Sequence, residues 1–407
     1  MTSRQVRGDD ENDAIATTPV GVTWPLSPQS AGRPLRGIKV LDASRILAGP
    51  YCAMLLADLG ADVIKIEPPT GDETRRWGPP FLGETAAYYF VANRNKWDVM
   101  LDLKQPLDQT TMQELIRQAD VVIHNYTEER ARRFSLDYDS VHAINEKAIC
   151  LAISGFGGAQ SNRRGYDLIA QALGGLMSVT GLDAGPPTKV GVAISDIATG
   201  LFGALGVAAA LAERAPTGKG TSVEVSLYDA TLSLLSNQAM NWLLSGEVPQ
   251  RQGNDHPNVS PYGMYVTGDG DIVLAVATDA QFAALCDVLG HPSLAGDERF
   301  LHNGDRILHR RALRDELEAR LAARGAAAWS VELDRHGIPN GMVRSVAEAL
   351  HASESRTVSY VDHDVYGRIP QVLSPIRLNG EYLGPYLPPP ECDEHRNLIT
   401  GTAEDDD

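Results

Sequence analysis

Apolar and polar positions along this chain follow two rhythms that take turns. The short β-rich run IKVLD (38–42) leads into RILAGP, then YCAMLLADLG, then ADVIKIEP. Strand, turn, helix and strand within about thirty residues make a βαβ unit. Pro50 suits a first helical turn and Gly60 a helix end. The helix is apolar nearly all round, which predicts deep burial. The pattern then recurs. WDVMLDL (97–103) predicts a strand, LDQTTMQELIRQA (107–119) a helix and DVVIHN (120–125) a strand. EERARRFSL (128–136) predicts a helix, AICLAIS (148–154) a strand running into GFGG, and DLIAQALGGLM (167–177) a helix. A long apolar run spans 190–212, before a strand at TSVEVSL (221–227) and a helix at DATLSLLSNQAMNWLL (229–244). Such alternation implies an α/β fold with a parallel sheet wrapped on both faces.

The texture changes near residue 250. RQGNDHPNVSPYG reads as loop, and GMYVTGDGDIVLAVA as a hairpin about the turn GDGD. Amphipathic helices follow near 279–290 and 310–324, and HGIPNGMV (336–343) closes the segment. The chain then returns to strand and loop, with GRIPQVLSPIRLNG and a Pro-rich LGPYLPPPE. Four parts are expected. They are a flexible N-terminal extension (1–33), the N-terminal part of a large domain (34–247), a small α+β domain with its linker (248–343), and a C-terminal return to the large domain with an acidic tail (344–407).

Composition narrows the class. With 407 residues, 43% hydrophobic and 22% charged, the chain has the size and balance of a two-domain globular protein. A formal charge of −17 disfavours nucleic acid as a partner. DDEND (9–13) and EDDD (404–407) read as solvated tails. Cys52, Cys150, Cys286 and Cys392 are far apart and show no CxxC spacing. Free thiols in a reducing compartment, and no metal site, are expected. The opening residues lack a basic stretch followed by an apolar one, so a cytoplasmic location is expected.

The apolar run at 190–212 is long enough to span a bilayer. It has an acid near its start, four glycines and no basic flank, and no second such run exists. A buried helix, and no membrane span, is therefore expected. Its only charge is Asp196. Two readings of that carboxylate are open: a helix N-cap, or a nucleophile or base held at the positive end of the helix. Asp167 in GYD also precedes an apolar helix and reads as a cap or as a second acid. Asp229 reads as a cap. His256 in GNDHPNVSPYG is either structural or faces an acyl pocket.

Six ordered motifs bring these residues into one frame: GIKVLDASRILAGPYCAMLLADLGADVIKIEP, NRNKWDVMLDLK, ADVVIHNY, GYDLIAQALGGLM, VGVAISDIATG and GKGTSVEVSLYDA. Together they resemble the class III CoA-transferases, also called the CaiB/BaiF or formyl-CoA transferase family, over about 36–400. The resemblance implies a Rossmann-like large domain built from both ends of the chain, with a smaller domain inserted. It implies two subunits interlocked like chain links, no permanently bound cofactor, and acyl-CoA and a free carboxylic acid as substrates. The motif VGVAISD makes Asp196 the nucleophile that carries an aspartyl-CoA thioester. Asp167 becomes an acid near the acyl group. Family contacts to coenzyme A fall on Leu47, Ala48, Leu101, Asp102, Leu103, Lys104, Asn125, Tyr126, Thr127, Arg133, Arg164, Gly165 and Tyr166. Lys104, Arg133 and Arg164 are the cations suited to phosphates, and the helix head near Gly49-Pro50 is a further anion site. A position often basic after KIE is Pro68 here, so its contact is lost or passes to Arg75 or Arg76. GFGG (155–158) or the loop near Gly253 offers amide donors for an oxyanion.

Three rivals are weaker. In α-methylacyl-CoA racemases of similar fold, a histidine precedes the acid of the GYD-like motif. Tyr166 stands there instead, and a phenol with pKa near ~10 is a poor base at neutral pH. A dinucleotide oxidoreductase needs GxGxxG in the first turn, and RILAGP lacks it. A non-catalytic acyl-CoA-binding protein has no need of Asp196. The loop 251–263 lacks the glycine cluster of the formyl-CoA/oxalate branch, which points away from oxalate.

Overall fold

The computed structural model describes residues 21–160, 162–352 and 356–401. Both acidic stretches and most of the expected N-terminal extension lie outside the described residues. Six strands form one parallel sheet: β1 (Lys39–Asp42), β2 (Asp62–Glu67), β3 (Lys96–Met100), β4 (Val121–His124), β5 (Ile149–Ser154) and β6 (Ser222–Ser226). Their order is β3-β2-β1-β4-β5-β6, with every neighbouring pair parallel. This is the doubly wound order, in which the winding direction reverses between β1 and β4.

The period-2 pattern explains the two cores. Leu41, Ile64 and Val122 point to one face, where they meet Leu115 and Ile116 of α2 (Pro106–Gln118). Val40, Val63, Ile123 and Leu151 point to the other. There they meet α1 (Ala48–Asp58) and the long apolar helix, which spans Ile194–Thr217. Among the described residues this is the one helix long and apolar enough to cross a membrane. Its Val207 and Ala210 are buried against the sheet. A Cβ on Gly200 would lie 2.8 Å from the Ala48 carbonyl oxygen, so glycine is required where it crosses α1.

A third core, with Ile272, Leu274, Phe282, Leu317, Trp329 and Leu333 at its centre, belongs to residues 265–338. The expected hairpin forms there from Tyr262–Val266 and Asp271–Ala275. Asn340–Met342 adds a third antiparallel strand. The C-terminal residues then return to the large sheet at its β3 edge. His395 N–H donates to the Asp98 carbonyl (3.0 Å), and Met100 N–H donates to Asp393 Oδ1 (2.7 Å).

Several boundaries differ from the sequence expectation. The strand expected at 97–103 ends at Met100. Beyond it, Asp102 N–H donates to Asp108 and the chain turns into α2. The helix expected at 167–177 stops at Leu173, because Gly174 packs on Thr231 and Gly175 takes a φ of 81°. The helix expected at 229–244 is two, Leu227–Leu234 and Ser236–Ser245. Asp196 is not an N-cap: the helix begins two residues earlier, with Ala193 at the cap position. Asp229 is not one either, since Ser226 Oγ caps that helix by accepting from Asp229 N–H at 3.0 Å.

At the carboxyl edge of the sheet, charged side chains are buried in pairs. Lys65 Nζ donates to Asp72 Oδ2 (3.0 Å) and to the Ser44 carbonyl (3.2 Å). Lys96 Nζ donates to Asp42 Oδ2 (2.8 Å), the Pro50 carbonyl (2.9 Å) and Asn93 (3.0 Å). All four charged side chains are fully enclosed. Burial pushes Asp42 up, but Lys96 and Lys65 hold it below the ordinary carboxylate range. Burial lowers Lys96 to about 8. Removing one partner of such a pair leaves an uncompensated buried charge. Lys65→Ala is therefore expected to cost about 3–5 kcal/mol, read as a lowered urea midpoint. A midpoint equal to that of the parent would show that the pair does not hold this edge together.

Candidate active site

The reversal of winding direction parts the loops after β1 and β4, and a cavity of about 350 Å³ opens between them. Asn125 ties the two loops together. Its Nδ2 donates to the Arg45 carbonyl (2.7 Å) and its Oδ1 accepts from Arg45 N–H (3.1 Å). Ile46 sits at φ 73°, rare for a β-branched residue, with its N–H on Asp72 Oδ2 (3.2 Å). That turn delivers Leu47 and Ala48, the head of α1, to the cavity wall. After β5, Gly155 and Gly165 pass back to back. A Cβ on Gly155 would lie 2.7 Å from Gly165 N, so no larger residue fits. This contact brings Arg163, Arg164 and Tyr166 to the rim.

The cavity is cationic at its mouth. Arg45, Arg130, Arg163 and Arg164 all line it. Arg45 is paired with Glu73 at 2.6 Å. Arg130 lies 5.1 Å over the Tyr126 ring and Arg163 lies 3.9 Å over Phe156. Among the described residues, Arg130, Arg163 and Arg164 have no acidic partner. Three guanidinium groups on one cavity wall suit a ligand with several phosphate charges.

Asp196 forms part of the wall, half-buried, at the third residue of α5, the helix Ile194–Thr217. The head of that helix lacks a side-chain cap of its own. The bond comes instead from Asp167, first residue of Asp167–Leu173, whose Oδ1 accepts from Ser195 N–H at 2.8 Å. Two carboxylates thus share one helix end. Burial, and behind it the Asp167 charge, push Asp196 up to about 7. That rise, on the order of 4 kcal/mol against the charged form, exceeds the ~0.3–1 kcal/mol a helix N-terminus typically returns. The Tyr88 hydroxyl is pushed up to about 12 by burial and by the charges of Asp196 and Asp167, which places it within electrostatic reach of both acids. The arrangement provides a carboxylate more basic than usual beside a cationic groove. Such a group is a better nucleophile once ionised.

The structure brings together Leu47, Ala48, Asn125, Tyr126, Thr127, Arg164, Gly165, Tyr166 and Asp196 on one cavity, with Asp167 against Ser195 at its edge. It places Leu101 and Leu103 in the core instead. Asp102 and Lys104 lie in the turn before α2, away from the cavity wall. Arg133 stands one turn beyond Arg130 on the helix Glu128–Arg133, exposed and off the wall. Arg75 is consumed by Glu67 (2.9 and 2.8 Å) and Tyr89 (2.7 Å), and Arg76 turns to the Thr70 carbonyl. Neither replaces the missing base at Pro68. The amides of Gly157, Gly158 and Gly253 already donate to Ser154, Glu224 and the Gly181 carbonyl. His256 lies 5.0 Å from the Tyr262 ring, outside the cavity. Arg45, Tyr88, Arg130 and Arg163 were not singled out from the sequence. Arg45, three residues past the first strand at the reversal point, carried the clearest signal.

Comparison with known proteins agrees with this geometry. The family model described as CoA-transferase family III matches residues 35–396. The succinate–glutarate CoA-transferase of Agrobacterium fabrum is 38% identical, over 91% of this chain and 96% of that protein. The acetyl-CoA:oxalate CoA-transferase of Acetobacter aceti is 37% identical, over 91% and 95%. The mouse succinyl-CoA:glutarate CoA-transferase is 35% identical, over 92% and 88%. A CaiB/BaiF family protein of Brucella suis superposes with a TM-score of 0.79 at 38% identity, covering 90% of this chain and 98% of that one. Parallel sheet, cavity and matched length lead to one assignment: the chain belongs to CoA-transferase family III.

Proposed function

We propose that this enzyme moves coenzyme A between dicarboxylic acids through a thioester on Asp196. The observation that carries the reading is the position of that carboxyl group, on the wall of a cavity also lined by three arginines that have no acidic partner among the described residues. The acid class rests on relatives named for succinate, glutarate, mesaconate and D-citramalate. Oxalate stays on the substrate panel because a 37% identical relative is named for it.

The steps balance as follows. An Asp196 oxygen attacks the thioester carbonyl, the C–S bond breaks, and coenzyme A leaves as thiolate from a mixed anhydride. The thiolate attacks the aspartyl carbonyl, giving the aspartyl-CoA thioester and freeing the donor acid. The acceptor carboxylate displaces the thiolate again, and the thiolate takes the acceptor's acyl group, restoring Asp196. Each step exchanges one activated acyl bond for another. A racemase reading finds no histidine at Tyr166, and the relatives above are named as transferases.

In this reading the coenzyme lies along Leu47–Ala48, Asn125–Thr127 and Arg164–Tyr166, with phosphates toward Arg130, Arg163 and Arg164. Arg133 lies farther out on the same helix face as Arg130. The parts 34–247, 248–343 and 344–407 act as a large domain, an inserted small domain and the large domain's return. A cytoplasmic location fits four free cysteines. A homodimer is supported by apolar side chains left in solvent. Leu201, Phe202 and Leu205 lie along α5, and Leu243 and Leu244 on the helix Ser236–Ser245 are 64% and 82% exposed. Clusters of exposed apolar side chains on a helix are what a subunit interface would cover. Sedimentation at micromolar concentration should show a dimer; a monomer would remove this part of the reading.

Asp196→Asn should fold and lose transfer by several orders of magnitude, because it removes the attacking atom. Parent enzyme mixed with succinyl-CoA and trapped rapidly should carry coenzyme A on the Asp196 peptide by mass. Parental rates in the variant would refute the assignment. Attack needs the ionised form, so the acylation rate should climb as pH rises through about 7. Stability runs the other way. The raised group stabilises the fold below the unfolded carboxyl pKa of ~3.9, and that contribution is lost as pH rises through about 7. Asp196→Asn should therefore melt above the parent at pH 8 and converge with it in acid.

Arg130→Ala should raise KM for every acyl-CoA donor with little change in kcat, since phosphate contacts bind ground and transition states alike. The expected loss is about 1–3 kcal/mol, larger than for Arg133→Ala. An unchanged KM in Arg130→Ala would move the phosphates elsewhere.

A further inference from the structure

Behind the two carboxylates lies a fully buried amide, Gln171, one turn after Asp167 on the same helix. Its Nε2 donates to Asp167 Oδ2 at 2.7 Å. Its Oε1 accepts from the backbone N–H of Val190 at 2.9 Å. The other Asp167 oxygen accepts from Ser195 N–H. One chain of bonds therefore runs from Val190 through Gln171 and Asp167 to Ser195, the residue before Asp196. The direction of the amide is fixed by its neighbours. Reversed, it would set an oxygen against a carboxylate and an NH2 against an N–H, two repulsive contacts in a buried place.

We propose that Gln171 is a positioning residue for the transfer reaction. It clamps Asp167 against the amide of Ser195, and so holds a fixed negative charge facing Asp196. It also anchors the segment 190–195 at its start while Asp167 anchors it at its end. The proposal rests on Asp196 being the nucleophile. The charged groups that share the cavity wall with that carboxyl are Arg45, Glu73, Arg130, Arg163 and Arg164, and Asp167 and Tyr88 lie within electrostatic reach of it. Of these, Asp167 is the one Gln171 touches. Sequence spacing alone shows an i,i+4 Asp–Gln pair, a common helix-surface contact. Its role comes from burial and from Val190.

Two substitutions at this one position predict opposite shifts. Gln171→Met removes the donor and frees Asp167 to turn away, so the Asp196 titration should move down from about 7. Gln171→Glu keeps an acceptor for Val190 and sets a second negative charge against Asp167, so the titration should move up. The kinetic experiment follows acylation by succinyl-CoA against pH, for parent and both variants. Gln171→Met should lower kcat about tenfold or more, leave KM for succinyl-CoA within about twofold, and shift the acidic limb down. Gln171→Glu should shift it up. In an Asp167→Asn background, the downward shift of Gln171→Met should vanish.

A second measurement needs no substrate. The melting-temperature gain of Asp196→Asn between pH 5 and pH 8 reports the titration of Asp196 directly. That gain should shrink beside Gln171→Met and grow beside Gln171→Glu. If Gln171→Met does not fold, the near-isosteric Gln171→Glu decides alone. Shifts of the same sign in both variants, or none, would overturn the proposal. A parent with no limb near 7 together with an active Asp196→Asn would instead overturn the nucleophile assignment.

Discussion

Lys65 holds the molecule's working edge in place. It reaches from the middle of the sheet to Asp72 and to the Ser44 carbonyl, with Asp42 and Lys96 alongside. Asp72 in turn takes the N–H of Ile46. Left-handed backbone at a β-branched residue costs on the order of 1–3 kcal/mol and persists only when the surroundings over-determine it. Here they do: the Lys65–Asp72 pair and the Asn125 amide both grip the same short turn. Buried ion pairs are weak sources of net stability. What this network supplies is geometry. It fixes where Arg45 points and where α1 begins, and the cavity follows from both.

The acids at the head of α5 show the opposite economy. A helix N-terminus alone would keep Asp196 an ordinary, well-stabilised carboxylate. Burial and Asp167 outweigh it. In the proposed reaction, reactivity and stability are thus set against each other at one residue, a trade common at sites where strain or charge is stored for chemistry.

Much of this was legible in the sequence, and the exceptions have physical causes. Alternating β-rich and helical runs gave the parallel sheet because each strand carries two buried faces and each helix a broad apolar stripe. The single charge in 190–212 pointed to Asp196 because nothing else there competes. LDLK was harder. Motif likeness placed Leu101 and Leu103 beside a ligand, yet the core claims both, as it does most leucines flanking a strand end. Arg75 looked available until Glu67 and Tyr89 surrounded it. Helix ends shifted where a glycine packs on a distant threonine, as Gly174 does on Thr231. Gln171 was invisible for the same reason: its meaning lies in Val190, nineteen positions away. Local propensity carries no information on such meetings.

The closing of the β3 edge has a consequence for how the chain is made. Asp98 N–H donates to His395 Nδ1, a partner 297 positions later in the sequence. At ribosomal speeds of ~5–20 residues per second, that partner emerges on the order of 15–60 s after the strand. Throughout that interval a nascent sheet stands with one side unsealed, as an open strand edge that other chains can pair with. Residues near Asp393 and His395 end this exposure, so the wait for them to emerge sets how long that edge stays open.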